Sequence, residues 1–117
     1  MRLLKGFITA GFIMLVGVAC ATSKQSIEIF YSPTCPHCHH AMEWIDGELT
    51  DQYKNLDIKK RNVMRGDNLD LFRNAMKKCG YTSGAIPVII VNNDKCFQGY
   101  SARINSDIIK ALGPVKK

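Results

Sequence analysis

The 117-residue chain lacks internal repeats and linkers rich in proline, glycine or serine, so we expect a single domain. It also lacks a second cysteine or histidine pair at metal-site spacing, which argues against a zinc module. The net charge is +6, but the basic runs at residues 59–61 and 77–78 are not interleaved with aromatic residues. These runs form solvated faces or steer an acidic partner, and no nucleic-acid partner is predicted.

The first 21 residues have the layout of an export signal. Arg2 and Lys5 form a basic start, and an apolar stretch follows over residues 6–18. Residues 19–21, Ala-Cys-Ala, match the small-residue pattern of a cleavage site. The sequence therefore predicts a signal over residues 1–21 that is not part of the fold.

Cys20 allows a second interpretation of this segment. Small residues before a cysteine resemble the lipobox of bacterial lipoproteins, in which the cysteine is lipidated, although Gly17 stands where leucine is usual. An uncleaved anchor is the third alternative, but the stretch from residue 6 to 21 is short for a membrane span. Each alternative predicts an extracytoplasmic domain over residues 22–117, in the bacterial periplasm or at the cell-envelope surface. Membrane contact is then limited to the N-terminal segment or its lipid.

Cys35 and Cys38 directly follow the apolar run 27–31, which predicts a short buried strand. Pro36 suits the first position of a helix, because its missing N–H would have no intrahelical partner there. Cys35 is thereby placed at a helix N-terminus, where thiol pKa values fall from about 8.5 to roughly 3.5–7.5. Cys38 lies one turn further on the same face and can resolve a mixed disulfide formed by Cys35. His37 adds a positive or hydrogen-bonding group that lowers the pKa of Cys35 further.

This pair predicts an enzyme that exchanges disulfides with protein thiols and disulfides, and a membrane redox partner is expected. No dissociable cofactor is needed, because the electrons reside on the two sulfurs. A lower thiol pKa stabilises the reduced form, so His37 favours an oxidant. A reductase or isomerase fed by a membrane electron donor is the alternative.

The non-enzymatic alternative is a metallochaperone that binds copper or zinc through Cys35, Cys38 and one histidine. His39 and His40 extend the histidine cluster, but only His37 is expected to point toward Cys35. We therefore interpret the other two as solvated helix residues and predict no metal site.

Apolar periodicity and turn residues along the rest of the chain predict the order β-α-β-α-β-β-α. The predicted elements after the first strand are a helix at 38–50, a strand at 56–63, a helix ending at 78, strands at 87–91 and 96–100, and a last helix capped by Asn105 or Ser106. Parallel pairing in the first part requires a helical crossover, so a mixed α/β sheet is expected.

This order, with the dithiol after strand one and Ile86-Pro87 opening strand three, resembles the thioredoxin superfamily in its small glutaredoxin-like form. The resemblance covers roughly residues 26–113 and implies a four-stranded mixed sheet flanked by three helices. It also implies that Pro87 is cis and lies against the dithiol, and that the backbone of Ile86 binds the substrate. Pro36 is assigned to the same substrate-binding surface. The domain is expected to be a monomer.

The dipeptide Pro36-His37 is the one found in DsbA-type periplasmic disulfide oxidases, but the helical insertion of those enzymes has no counterpart here. Glutaredoxins hold glutathione partly through a Gly-Gly pair and an aspartate. Gln98 and Ala102 stand at one glycine and at the aspartate, so that site is incomplete.

Thioredoxins carry a buried aspartate six residues before the first active-site cysteine, where this chain has Ile29. Glu28 is adjacent, but strand alternation points it to the other face of the sheet. It is either a proton-relay group or a structural residue.

Cys79 and Cys96 are the remaining cysteines once Cys20 is removed or lipidated. In the resembling fold, the second helix runs away from the dithiol and strand four begins at the far end of the sheet. Both cysteines should then lie at the pole opposite the active site. A structural disulfide between them is predicted, with two buried free thiols as the alternative.

Overall fold

The structure is a computed structural model that describes residues 24–114, so the predicted signal and Cys20 lie outside the described residues. Its sheet has four strands: β1 Ser26–Tyr31, β2 Asp57–Asn62, β3 Val88–Val91 and β4 Lys95–Gln98. Their order across the sheet is β2-β1-β3-β4. The β1–β2 pair is parallel, and the other two pairs are antiparallel. The predicted mixed sheet is confirmed.

Three helical segments complete the predicted order β-α-β-α-β-β-α. Helix α1 begins as Pro36–Trp44, widens to a π-helix over Ile45–Leu49 and ends with Thr50–Gln52. Helix α2 spans Asn68–Cys79, and helix α3 spans Ala102–Leu112. Over residues 24–114, none of the helices has the length and apolar character needed to cross a membrane.

The helices cover both faces of the sheet. Ile27 and Ile29 of β1 lie on one face, where residues of α1 and α3 pack against them. Phe30 lies on the other face and contacts Phe72 of α2, with 5.5 Å between ring centroids. All four residues of β3 are buried, because this inner strand is covered on both sides. The two apolar layers fix the end of β1 as a rigid platform for the loop that follows.

Helix α3 begins earlier than the sequence predicted. Its N-cap is Ser101, whose side chain accepts a hydrogen bond from the N–H of Ile104. The prediction of Asn105 or Ser106 as the cap was therefore wrong by about one turn. Ile104 is half-buried against the core, so the apolar stripe of α3 extends to its first turn.

The structure joins Cys79, the last residue of α2, to Cys96 of β4 by a disulfide with 5.9 Å between the Cα atoms. Cys96 pairs with Ile90, which in turn pairs with Glu28 near the start of β1. The loop that carries Cys35 follows the opposite end of β1. The cross-link therefore lies in the half of the sheet away from the dithiol, and its structural role stays a prediction.

Each basic side chain of the run 59–61 has an acidic neighbour. Lys59 lies 3.6 Å from Asp57, and Lys60 lies 2.6 Å from Asp46. The third member, Arg61, donates a hydrogen bond to Glu28 on the neighbouring strand. The charge of this edge strand is thus balanced within the domain.

Candidate active site

Cys35 occupies the N-cap position of α1, and Pro36 follows at the start of the helix. Its Sγ atom accepts a hydrogen bond from the backbone N–H of Cys38 at 3.1 Å. The N–H of Cys35 itself donates to the carbonyl of Ser32 at 3.1 Å, which closes a turn between β1 and α1. The Cys35 sulfur therefore sits among the N–H groups of a helix N-terminus, as the sequence predicted.

The two sulfurs of the pair differ in accessibility. Cys35 and Cys38 are joined by a disulfide with 5.2 Å between their Cα atoms. Cys38 is fully buried beneath the helix start, whereas Cys35 is only half-buried. An incoming thiol or thiolate can reach the sulfur of Cys35 but not that of Cys38.

A loop from the other side of the site reaches Cys35. The peptide bond between Ile86 and Pro87 is cis, and the carbonyl oxygen of Ile86 lies 3.9 Å from the Cys35 sulfur. Pro87 is fully buried, whereas Ile86 is half-buried. Residues that are far apart in the sequence thus meet at one sulfur.

The side chains of Pro36 and His37 are exposed in the first turn of α1. They are the two residues between Cys35 and Cys38, so both are open to solvent next to the dithiol in the chain. The structure thus brings Cys38 and Ile86 to the Cys35 sulfur, whereas Cys79 and Cys96 lie in the other half of the sheet and Cys20 lies outside the described residues.

His39 makes a contact that the sequence did not predict. Its Nε2 atom lies 2.7 Å from the carbonyl oxygen of Pro33, so the ring donates a hydrogen bond to the loop before Cys35. The ring of His40, by contrast, lies 3.7 Å from the exposed carboxylate of Glu43. Helical spacing alone could not separate the two histidines, because the distinction depends on how the preceding loop folds back.

Gln98 is a second such residue. The sequence marked it only as the replacement of a glycine, yet its amide nitrogen lies 2.7 Å from the carbonyl of Ser83 and 3.1 Å from that of Ala85. The sequence signal that could have indicated this contact is a long amide side chain at the end of a strand, close to a loop without periodicity.

Glu28 lies away from the dithiol helix. It alternates with Ile27 and Ile29, which face α1 and α3, and its carboxylate accepts a hydrogen bond from Arg61. Helix α1, which carries Cys38, packs on the opposite face of the sheet. This geometry favours the structural alternative for Glu28 over a proton relay.

The cysteines and histidines of this segment do not converge as ligands. Within residues 24–114, no three side chains of the types His, Cys, Asp and Glu are grouped so that they could hold a metal ion.

Comparison with known proteins finds relatives in sequence and in structure. No family model matches the chain. The thioredoxin of Methanocaldococcus jannaschii is 32% identical over 77 residues, which cover 66% of this chain and 81% of that protein. Among solved structures, the glutaredoxin of Archaeoglobus fulgidus has a TM-score of 0.55 at 21% identity, covering 72% of this chain and 85% of its own. Oxidised thioredoxin O2 of Arabidopsis thaliana has a TM-score of 0.56 at 18% identity, covering 80% of this chain and 77% of its own.

The two structural neighbours establish the thioredoxin-like fold. The 32% identity to a thioredoxin, together with the Cys35–Cys38 disulfide, identifies a thiol–disulfide oxidoreductase. The sequence relative also identifies the family. The chain belongs to the thioredoxin family.

Proposed function

We propose that the protein exchanges disulfides with other proteins outside the cytoplasm, through Cys35 as the exchanging sulfur and Cys38 as the resolving one. The observation that carries this proposal is the position of the Cys35 sulfur. It is accessible, it accepts a hydrogen bond from the Cys38 N–H at 3.1 Å, and it faces the Ile86 carbonyl at 3.9 Å. The reaction requires no dissociable cofactor.

In the oxidising direction, a substrate thiolate attacks the Cys35 sulfur and the bond to Cys38 breaks. Cys38 leaves as a thiolate and takes up a proton. A second substrate thiolate then attacks the substrate sulfur of the mixed disulfide, and Cys35 leaves as a thiolate. The substrate gains a disulfide, and its two electrons remain on the reduced pair. The reducing direction is the reverse sequence.

The oxidising direction is supported by the surroundings of the Cys35 sulfur. A thiolate at Cys35 accepts a hydrogen bond from the Cys38 N–H and lies at the positive end of the α1 dipole. The first turn of α1 contains no acidic residue that would oppose this stabilisation. Groups that stabilise the thiolate stabilise the reduced pair, which makes the disulfide a stronger oxidant. The exposed His37 adds a positive charge whenever it is protonated. A membrane protein that reoxidises the pair is the proposed redox partner.

Reduction or isomerisation of protein disulfides is the second candidate, and the similarity to a thioredoxin favours it. The reduction potential decides between the two. It is measured by equilibrating the purified protein with glutathione buffers and trapping the Cys35 and Cys38 thiols by alkylation. A reduction potential of about −120 mV supports the role as an oxidant of protein thiols, and one of about −270 mV supports the role as a reductant of protein disulfides.

The location is proposed from the N-terminal sequence, through cleavage after residue 21 or lipidation of Cys20. Fractionation of cells together with the intact mass of the mature protein tests it. A chain that begins at residue 22, or a lipid mass on Cys20, supports export. A full-length, unmodified chain in the cytoplasm contradicts it.

A further inference from the structure

Gln98, the last residue of β4, is half-buried and connects the sheet to the loop that leads to the cis-proline. Its Nε2 atom lies 2.7 Å from the carbonyl oxygen of Ser83 and 3.1 Å from that of Ala85. A side-chain amide carries two N–H donors on this nitrogen, so one amide can serve both carbonyls. The next residue, Gly99, donates its backbone N–H to the carbonyl of Pro87 at 2.8 Å.

The loop that Gln98 holds has few other restraints. Residues 82–85 are exposed and belong to no helix or strand, and the N–H of Ala85 donates a local hydrogen bond to the Ser83 hydroxyl at 3.2 Å. The loop ends at Ile86, whose carbonyl faces the Cys35 sulfur. Gln98 pairs with Val88, which pairs with Phe30 near the end of β1 that leads to Cys35, so its side chain holds the loop at the same end of the sheet as the dithiol.

We propose that Gln98 is a positioning residue that aligns the Ile86 backbone for substrates with a polypeptide backbone. This inference rests on the proposed function, in which the substrate strand lies along Ile86 and Pro87. A substrate that docks on a fixed loop does not have to order it, whereas docking on a loose loop costs conformational entropy. A small aromatic disulfide needs no such docking, because it reacts with the Cys35 sulfur directly. The effect of Gln98 is therefore limited to the docking of peptide and protein substrates, and the intrinsic reactivity of Cys35 does not depend on it.

The test compares Gln98→Met with Gln52→Met. Methionine has a similar length but no N–H donor, and Gln52 is an exposed residue at the end of α1. Steady-state kinetics with a peptide disulfide, in which reduced glutathione regenerates the Cys35–Cys38 dithiol and the uncatalysed rate is subtracted, give KM and kcat. The second-order rate of the reduced protein with 5,5′-dithiobis(2-nitrobenzoate) gives the reactivity of Cys35. We expect Gln98→Met to raise KM for the peptide by about five- to tenfold, with kcat and the small-disulfide rate unchanged. Gln52→Met should match the wild type in all three measurements.

Hydrogen exchange at residues 82–86 provides a readout that does not depend on turnover. It should become faster in Gln98→Met and stay unchanged in Gln52→Met. Should Gln98→Met fail to fold, Gln98→Asn retains the amide on a shorter chain that cannot reach both carbonyls, and the same rise in KM is expected.

An unchanged peptide KM, or an equal loss with the peptide and the small disulfide, would overturn the role of Gln98. Failure of the proposed function is separable from this result. In that case the wild-type protein itself would show no exchange with the peptide that depends on Cys35.

Discussion

The Nε2 atom of His39 lies 2.7 Å from the carbonyl oxygen of Pro33, so the helix that carries the dithiol also holds the loop before it. Pro33 belongs to the turn that the Cys35 N–H closes by donating to Ser32. The Ser32 and Thr34 hydroxyls lie 3.2 Å apart in the same turn. The position of the Cys35 sulfur is thus supported on the strand side as well as on the helix side.

Replacement of His39 by alanine should lower the free energy of unfolding by about 0.5–1.5 kcal/mol, because the Pro33 carbonyl loses its donor. His40→Ala is the matched control. It removes a neighbouring exposed ring whose contact with Glu43 is 3.7 Å long, so we expect a change within about 0.5 kcal/mol. Urea unfolding of both variants in the oxidised state measures the difference. If both substitutions lowered the free energy of unfolding equally, the contact of His39 with Pro33 would contribute nothing to stability.

The two cysteines of the active site should give different phenotypes. Cys35→Ser should lose all exchange activity, because the only accessible sulfur of the pair is gone. Cys38→Ser should retain attack by Cys35 but accumulate mixed disulfides with substrates, because the resolving thiol is absent. Non-reducing gels and intact mass spectrometry detect these adducts. Mixed disulfides that form in Cys35→Ser would reverse the proposed roles.

The disulfide between Cys79 and Cys96 should stabilise the domain without taking part in exchange. The two residues are 17 positions apart, and a loop of this size contributes about 3 kcal/mol in the chain-entropy description. The double variant Cys79→Ala/Cys96→Ala should therefore unfold at lower denaturant concentration and keep its exchange rate per folded molecule. Peptide mapping without reduction identifies the cross-link in the wild type. A double variant with full stability and no activity would contradict the prediction.

Glu28→Gln separates a structural role from a proton relay. The substitution weakens the pair with Arg61, whose side chain is 28% exposed, so we expect a loss of about 1 kcal/mol. The dependence of the exchange rate on pH should not change, because Glu28 alternates with the residues that face α1. Asp46→Asn is the control for loss of an ion pair. It removes the negative charge that faces Lys60, in a pair that is more exposed than that of Glu28 and Arg61. A shifted pH profile in Glu28→Gln alone would restore the relay hypothesis.

The element order and the core of the site follow from local sequence signals. The alternation of Ile27 and Ile29 fixes the buried face of β1, and the proline after Cys35 marks the helix start. Gly80, with φ of 78°, ends α2 in the left-handed conformation that glycine adopts readily. These features depend on neighbours in the sequence, which is why they could be predicted.

The contacts of His39 and Gln98 could not be predicted in the same way. Each depends on where an irregular loop passes, and loops carry no periodicity from which a path could be derived. The start of α3 was misplaced for a related reason. Ser101 and Ser106 are both suitable caps, and only the packing of Ile104 against the core decides between them.

The balanced charges of β2 have a consequence for how copies of this protein meet. The strand forms one border of the sheet, where unpaired backbone groups could accept a strand from another molecule. A strand added there would bring its side chains beside the exposed Lys59 and the Lys60–Asp46 bridge. The charged side chains of this border therefore disfavour its pairing with a strand of another molecule.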